Sequence, residues 1–311
     1  MSQYDVAVIG GGAAGLSAAM VLARAQRTVL VVDAGEPRNA PAQHMHGFLS
    51  RDGMSPAELL ALGRQEVETY GGRIRMATVA TATRVEDWFH LGLSDGGTID
   101  ARRVLVATGL RDELPDVGGL RERWARDVLH CPYCHGYEVR GQAFGVLGWS
   151  PEAVRYAQIV RQWSGDVVLF THGQSLSDDE REELTARAIG IVDGSVDQVV
   201  VEDDALHGLA LEDGRFVPRD VVFVPPRFVP RNDVFVDLGC AIDGRGWVST
   251  DGTGRTSVSG VWAAGNVRNP RAQVITAAGE GSTAAIAINA DLVDEDVRKA
   301  VRDHRGDTAA P

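Results

Sequence analysis

The period of apolar and polar positions changes several times along the chain, and each change predicts an element. Residues 4–9 alternate and are rich in Val and Ile, which predicts a buried strand. Gly10-Gly11-Gly12-Ala13-Ala14-Gly15 follows, then a helical stretch over 16–25 and a second strand over 28–32 that ends at Asp33. This is a βαβ unit. Residues 35–54 have no period and hold Gly, Pro, Asn and two His, so a loop is expected. Ser55-Pro56 supplies an N-cap and a first-turn Pro for the next helix. Short strands are expected across 73–106, with a turn at Ser94-Asp95-Gly96-Gly97, and 104–109 reads as a strand running into a glycine turn. A Pro/Gly hinge over 112–120 leads to a second βαβ pattern: strand 143–147, helix 151–163, strand 166–170. Residues 171–240 alternate short strands with acidic turns. A strand and turn at 261–266 precede a small-residue helix over 274–292, and 303–311 are expected to fray.

These elements predict an α/β chain with two Rossmann-like, three-layer nucleotide-binding domains, the second inserted in the first. The expected boundaries are 1–113 and 242–311 for the first domain and 114–241 for the insert. A length of 311 residues suits two domains. The formal charge of −12 argues against nucleic acid or an anionic membrane as the main partner. No apolar run approaches the roughly 20 residues of a membrane helix. With no targeting pattern at residue 1, a cytoplasmic protein is the expectation.

Gly10-x-Gly12-x-x-Gly15, between a strand and a helix and followed by Asp33, is the dinucleotide fingerprint in its required context. Gly10 allows the tight turn, Gly12 lets backbone approach a pyrophosphate, and Gly15 lets helix and strand pack closely. The helix start at Ala13 and Ala14 offers amides to phosphate, and Asp33 can accept from a ribose. The motif alone does not separate FAD from NAD. The strand and turn at 261–266 favour FAD, since a long flavin needs a second contact.

His130-Cys131-Pro132-Tyr133-Cys134-His135 holds the richest chemistry. Two Cys spaced C-x-x-C at a helix start can form a reducible disulfide, and the helix terminus favours the thiolate. His130 and His135 flank the pair and can move protons. The same residues match a c-type haem attachment motif, which normally needs an exported protein. Zinc needs further ligands, and Cys240 stands alone. An inert buried pair is a further alternative. No metal is expected, and Cys240 reads as packing.

Taken together, GGGAAG near the start, Ala107-Thr108-Gly109, CPYC in the insert, and Ala263-Ala264-Gly265-Asn266 followed by Gln273-Val274-Ile275-Thr276 resemble the low-molecular-weight thioredoxin reductases over nearly the whole chain. The resemblance implies a homodimeric FAD protein. Ala107, Thr108, Gly109, Gly265, Asn266, Gln273 and Val274 would then join the fingerprint around the cofactor, with Asn266 on the ribityl chain. Cys134 would face the flavin and Cys131 would exchange with substrate. The insert departs from the NADPH-dependent pattern. Its glycine loop reads Gly148-Trp149-Ser150-Pro151-Glu152-Ala153, so Ser150 stands where backbone would approach a pyrophosphate and Pro151 removes an amide donor. Thr171-His172-Gly173-Gln174 and the acidic run Asp178-Asp179-Glu180 stand where basic residues would hold a 2′-phosphate. Pro225-Pro226-Arg227 replaces a later glycine turn.

With His135 after the second Cys, the chain resembles the dithiol oxidases that close disulfides in gliotoxin-type and holomycin-type natural products. That resemblance implies oxidation of a small-molecule dithiol, with O2 as acceptor and H2O2 as product. Cys131 would be attacked, and His135, or else His130, would be the base. His44, His46 and Asn39 could line the substrate entrance or belong to a solvated loop. Two alternatives are a disulfide reductase fed by NADPH or another donor, and a non-catalytic flavin redox sensor.

Overall fold

The computed structural model describes residues 2–306 and divides into two compact units. The first comprises 1–40, 55–111 and 229–311; the second comprises 41–54 and 112–228.

In the first unit a parallel core runs in the order Arg73–Met76, Val29–Asp33, Ser2–Ile9, Thr98–Val106. Val261–Ala263 adds to Thr98–Val106, also in parallel. Two antiparallel strands, Trp88–Leu93 and Val79–Val85, extend the sheet on the same side. All five residues of Val29–Asp33 are buried, as a sheet covered on both faces requires. One face carries the helices Ala13–Arg24 and Val274–His304 around Leu22, Val31, Leu105, Trp262 and Ile288.

The helix starting at Val274 is longer than its apolar pattern predicts. Its last buried residue is Leu292, yet it continues to His304. Ion pairs hold the start of the added turns: Arg103 reaches Asp291 and Glu295, Arg102 reaches Glu295 and Asp296, and Arg27 reaches Asp296. The expected fraying at 303–304 is therefore replaced by helix, and 307–311 lie outside the described residues.

The return to the first unit also differs from the expected boundary. It falls between Phe228 and Val229, not at 242. Val234 and Phe235, on the short helix Asp233–Asp237, and Cys240 are buried in the first unit's second core cluster. The Asp237 carboxylate accepts from the Ala82 amide at 3.0 Å.

In the second unit five parallel strands run in the order Ile189–Val192, Val167–Phe170, Phe144–Leu147, Val221–Phe223, Val128–Leu129. An antiparallel three-stranded sheet, Val196–Glu202, Ala205–Leu211 and Phe216–Pro218, packs with it through Phe170, Leu209 and Val222. The expected helix over 151–163 is shorter, Ala153–Val160. Asp178–Ala186, read from its charge as an acidic turn, is a helix. Ser177 and Glu180 form a reciprocal capping box, and three acidic residues fill its positive first turn. The loop 41–54 folds with this unit rather than with the βαβ unit it follows in sequence.

Candidate redox site

The first unit carries a dinucleotide cradle. Gly10 has φ +106°, and a Cβ there would lie 2.4 Å from the Ala107 carbonyl oxygen, so only glycine fits. At Gly12 an added Cβ would meet nothing within 4 Å. Gly12 is the N-cap of Ala13–Arg24 and no side chain caps this helix start, which leaves its first-turn amides available to an anion. Gly15 lies so close to the Gly10 carbonyl that its Cβ would be 1.9 Å from that oxygen. The Asp33 carboxylate, nearly buried, accepts from the Gly11 amide at 3.1 Å and from Arg64 at 3.2 Å. A carboxylate has about four acceptor positions, which leaves capacity for a ribose. These features fit the adenosine and pyrophosphate end of a dinucleotide.

The other expected cofactor residues in this unit fall into two groups. Ala107 and Thr108 lie against Gly10, and Gly265 lies against Ala14 and Ala277. Thr108 donates through its hydroxyl to the Arg231 carbonyl, and the Gly109 carbonyl accepts from the Arg231 amide at 3.0 Å, which fixes that turn. Gln273 is the N-cap of the long helix that starts at Val274, again without a side-chain cap.

Asn266 does not stand as expected. Its amide donates to the Asn269 and Ala272 carbonyls, and its oxygen accepts from Arg38 at 3.3 Å. It braces its own loop instead of presenting a free amide. Glu280 is the acidic group that sequence reasoning missed: it accepts from the Gly265 amide at 2.8 Å and from the Asn269 side chain at 2.7 Å. Its signal was a lone carboxylate, Gly279-Glu280-Gly281, in a small-residue helix.

The second unit carries the C-x-x-C pair. Cys131 and Cys134 form a disulfide with Cα atoms 5.2 Å apart. Among the described residues no group of three or more His, Cys, Asp or Glu is gathered for a metal. The expected helix at this pair is a single turn, Pro132–His135, with Cys131 as N-cap. So short a helix has little macrodipole, and thiolate stabilisation must come chiefly from other groups. Tyr133 between the sulfurs is well exposed and meets Trp163 edge-on at 5.4 Å. Gly136 closes the turn, because a Cβ there would strike both the Pro132 carbonyl and the Trp163 ring.

The two flanking histidines have different surroundings. His130 stacks on Trp124 at 6.5 Å and meets the edge of Phe228 at 5.3 Å, and its carbonyl accepts from the Tyr156 hydroxyl. Burial pushes the Tyr156 phenol well up, which keeps that donor protonated. His135 is half-buried, and burial pushes its pKa below the usual 6.5, against the pull of Glu138 and with the help of His46. It is therefore neutral at pH 7 and able to accept a proton. His135 also lines a cavity of about 240 Å³, together with Glu138, Arg126 and the loop residues His44 and His46. Of the entrance candidates, His44 and His46 thus reach the His135 side of this unit, while Asn39 belongs to the first unit. Cys240 is buried in the first unit beside Thr256, and burial raises its pKa, as befits a packing residue.

The second unit's own nucleotide crevice is bridged by protein. In a parallel sheet a ligand binds where strand order reverses, here between Phe144–Leu147 and Val221–Phe223. Trp149 leaves the first of these strands and donates its indole N–H to the Pro225 carbonyl, just beyond the second, at 2.6 Å. Near the position for a 2′-phosphate, Arg181 is paired with Asp193, and Arg215 with Asp213.

Among the described residues no helix is long and apolar enough to cross a membrane. Residues 4–281 match the family model described as pyridine nucleotide-disulphide oxidoreductase. "Thioredoxin reductase sirT" of Leptosphaeria maculans is 32% identical over 315 residues, covering 95% of this chain and 96% of its own. The crystal structure of HlmI superposes with a TM-score of 0.95 at 55% identity, over 98% of this chain and 97% of that one. A putative thioredoxin reductase TrxB from Bacillus anthracis gives 0.90 at 33% identity, over 94% and 99%. The cradle, the redox disulfide and these matches agree: the chain belongs to the pyridine nucleotide-disulphide oxidoreductases and is a thioredoxin reductase-like protein of the kind represented by sirT and HlmI.

Proposed function

We propose that this chain is an FAD-dependent oxidase that converts a small-molecule dithiol into an intramolecular disulfide, with O2 as electron acceptor. One observation carries the reading: the unit holding the Cys131–Cys134 disulfide has its own nucleotide crevice bridged by the Trp149–Pro225 hydrogen bond. Electrons would then enter from a thiol rather than from NADPH.

In this mechanism neutral His135 takes the proton of a substrate thiol. The thiolate attacks Sγ of Cys131, the Cys131–Cys134 bond breaks, and its electron pair leaves on Cys134. His135 passes its proton to solvent and takes the second one. The second substrate thiolate attacks the substrate sulfur of the mixed disulfide and leaves as the cyclic disulfide, releasing Cys131. The cysteine pair now holds two electrons. Gly10, Gly12, Ala13, Ala14, Gly15 and Asp33 would hold the adenosine and pyrophosphate, and the segments at 107–109 and 273–274, with Gly265, the rest. The bound flavin would supply the acceptor for that electron pair and its delivery to O2 as H2O2.

The homodimer implied by the resemblance has a suitable surface. Ile286, Val293 and Val297 are exposed along one face of Val274–His304 at spacings of seven and four. A second copy of this chain is the partner we assign to it.

The test is anaerobic spectroscopy of the purified yellow protein. Dithiothreitol should bleach it, and air should return the colour with H2O2, while NADPH should leave it unchanged. Rapid bleaching by NADPH would replace this reading with a disulfide reductase, the activity for which sirT is named.

A further inference from the structure

The 41–54 loop is tied down with unusual care around one side chain. The Asp52 carboxylate accepts from the Gly47 amide at 2.9 Å and faces His46 Nδ1 at 3.3 Å. On the opposite edge of the ring, His46 Nε2 lies 3.5 Å from the Glu138 carboxylate. His44 is fixed to the Gly53 carbonyl at 3.0 Å, and backbone hydrogen bonds join Met45 to both Gly53 and Met54. Both ring nitrogens of His46 thus face a carboxylate, so the ring links Asp52 to Glu138. Glu138 lies three residues beyond His135, and all three side chains line the same cavity.

We propose that His46 is a positioning residue that keeps His135 in its proton-accepting form: held between Asp52 and Glu138, it engages the carboxylate that would otherwise draw a proton onto His135. The inference rests on reading His135 as the base of thiol–disulfide exchange. Among the described residues, the charged and titratable groups that line this cavity with His135 are Glu138 from its own segment, His44 and His46 from the loop, and Arg126; Cys134, next to His135 in sequence, joins them when the disulfide is reduced. Arg126 is engaged by Asp204 at 2.6 Å, and Asp52 acts through His46. Glu138 favours the protonated form of His135, whereas His46 and burial oppose it.

Two substitutions in this one cavity should therefore act in opposite directions. Holoenzyme labelled with ¹³C at histidine would be titrated by NMR, with His135→Gln giving the assignment. His46→Gln removes the ring that engages Glu138 and leaves that carboxylate free to act on His135, so His135 should titrate at higher pH. Glu138→Gln removes the attraction, so it should titrate at lower pH. The double variant should fall between them, and His46→Asn should repeat the result for His46→Gln. The rate of anaerobic reaction with dithiothreitol should carry the same limb, changing about tenfold for each pH unit that the limb moves on its acid side. General loss of structure would move both variants the same way. A His46→Gln enzyme whose His135 titration is unchanged, or falls, overturns the proposal. The NMR reading needs neither O2 nor turnover, so it is separate from the oxidase assignment. Opposite shifts in an enzyme that fails to oxidise dithiothreitol in air would keep the inference and remove the oxidase.

Discussion

Gly281 gives the sharpest test of how packing builds the cofactor cradle. It lies inside Val274–His304, where Gly→Ala ordinarily stabilises a helix by about 1 kcal/mol. Here a Cβ would stand 2.0 Å from the Ala14 carbonyl oxygen, 2.8 Å from its carbonyl carbon and 3.0 Å from its Cα. Ordinary contact is about 3.5 Å, so the two helices would have to separate locally by more than about 1 Å. The obstructing atoms are backbone in the first turn of Ala13–Arg24, and no side-chain rotation relieves them. Overpacking of this kind costs about 1–3 kcal/mol or more, which outweighs the propensity gain. Because Ala14 belongs to the glycine-rich turn that we assign to the cofactor phosphates, Gly281→Ala should lower the melting temperature by roughly 2–8 °C and release flavin on gel filtration. Gly279→Ala is the control, since a Cβ there meets nothing within 4 Å. That variant should melt slightly above wild type and keep its flavin. If Gly281→Ala behaves like Gly279→Ala, the close approach of the two helices is wrong as described.

Cys131→Ser and Cys134→Ser should each abolish dithiol turnover and leave the protein yellow; normal turnover of either, measured by O2 uptake, would contradict the exchange mechanism. Asp5, Glu295 and Asp296 are held below their ordinary values: burial works to raise the first two and is outweighed by Thr28 and the arginines, while Arg27 leads for Asp296. Their contribution is therefore full above the ordinary carboxylate values of 3.8 and 4.5 and is lost as pH falls through the depressed folded values. Arg102→Gln should cost about 1–3 kcal/mol in urea unfolding at pH 7, and the difference from wild type should shrink below about pH 4. Val293→Lys together with Val297→Lys should convert a dimer to monomer in light scattering; a wild-type monomer would remove that surface from consideration.

The parts of the molecule legible in the sequence are those fixed by local backbone demands. Gly10 must take a positive φ beside Ala107, and Gly15 must admit the Gly10 carbonyl, so a short motif declares the first βαβ unit. The C-x-x-C pair is legible for the same reason, since one turn brings both sulfurs together. Other features depend on partners distant in sequence. The family resemblance implied Asn266 as a cofactor ligand, but its side chain is engaged by the Asn269 and Ala272 carbonyls and Arg38. Asp178–Ala186 was hidden because Leu184 is its only buried residue, although the Ser177/Glu180 capping pair was present in the sequence.

The loop 41–54 shows where such reading stops and what it then misses. Its composition is that of a solvated connection, and its chain neighbours belong to the nucleotide-binding unit. Its fold is nevertheless decided by Asp52, which gathers the Gly47 amide and the His46 ring and leaves the other edge of that ring for Glu138. None of these contacts has a period or a motif. The consequence we propose is chemical: His135, marked in the sequence by its adjacency to Cys134, would have its protonation governed in part by a residue 89 positions earlier. The Trp149–Pro225 bridge follows the same logic on the other side of the chemistry. A bulky residue in a degenerate glycine loop becomes, once folded, a donor across the crevice where a second nucleotide would lie. Loss of a motif is visible in one dimension, whereas its replacement by a new contact appears only in three.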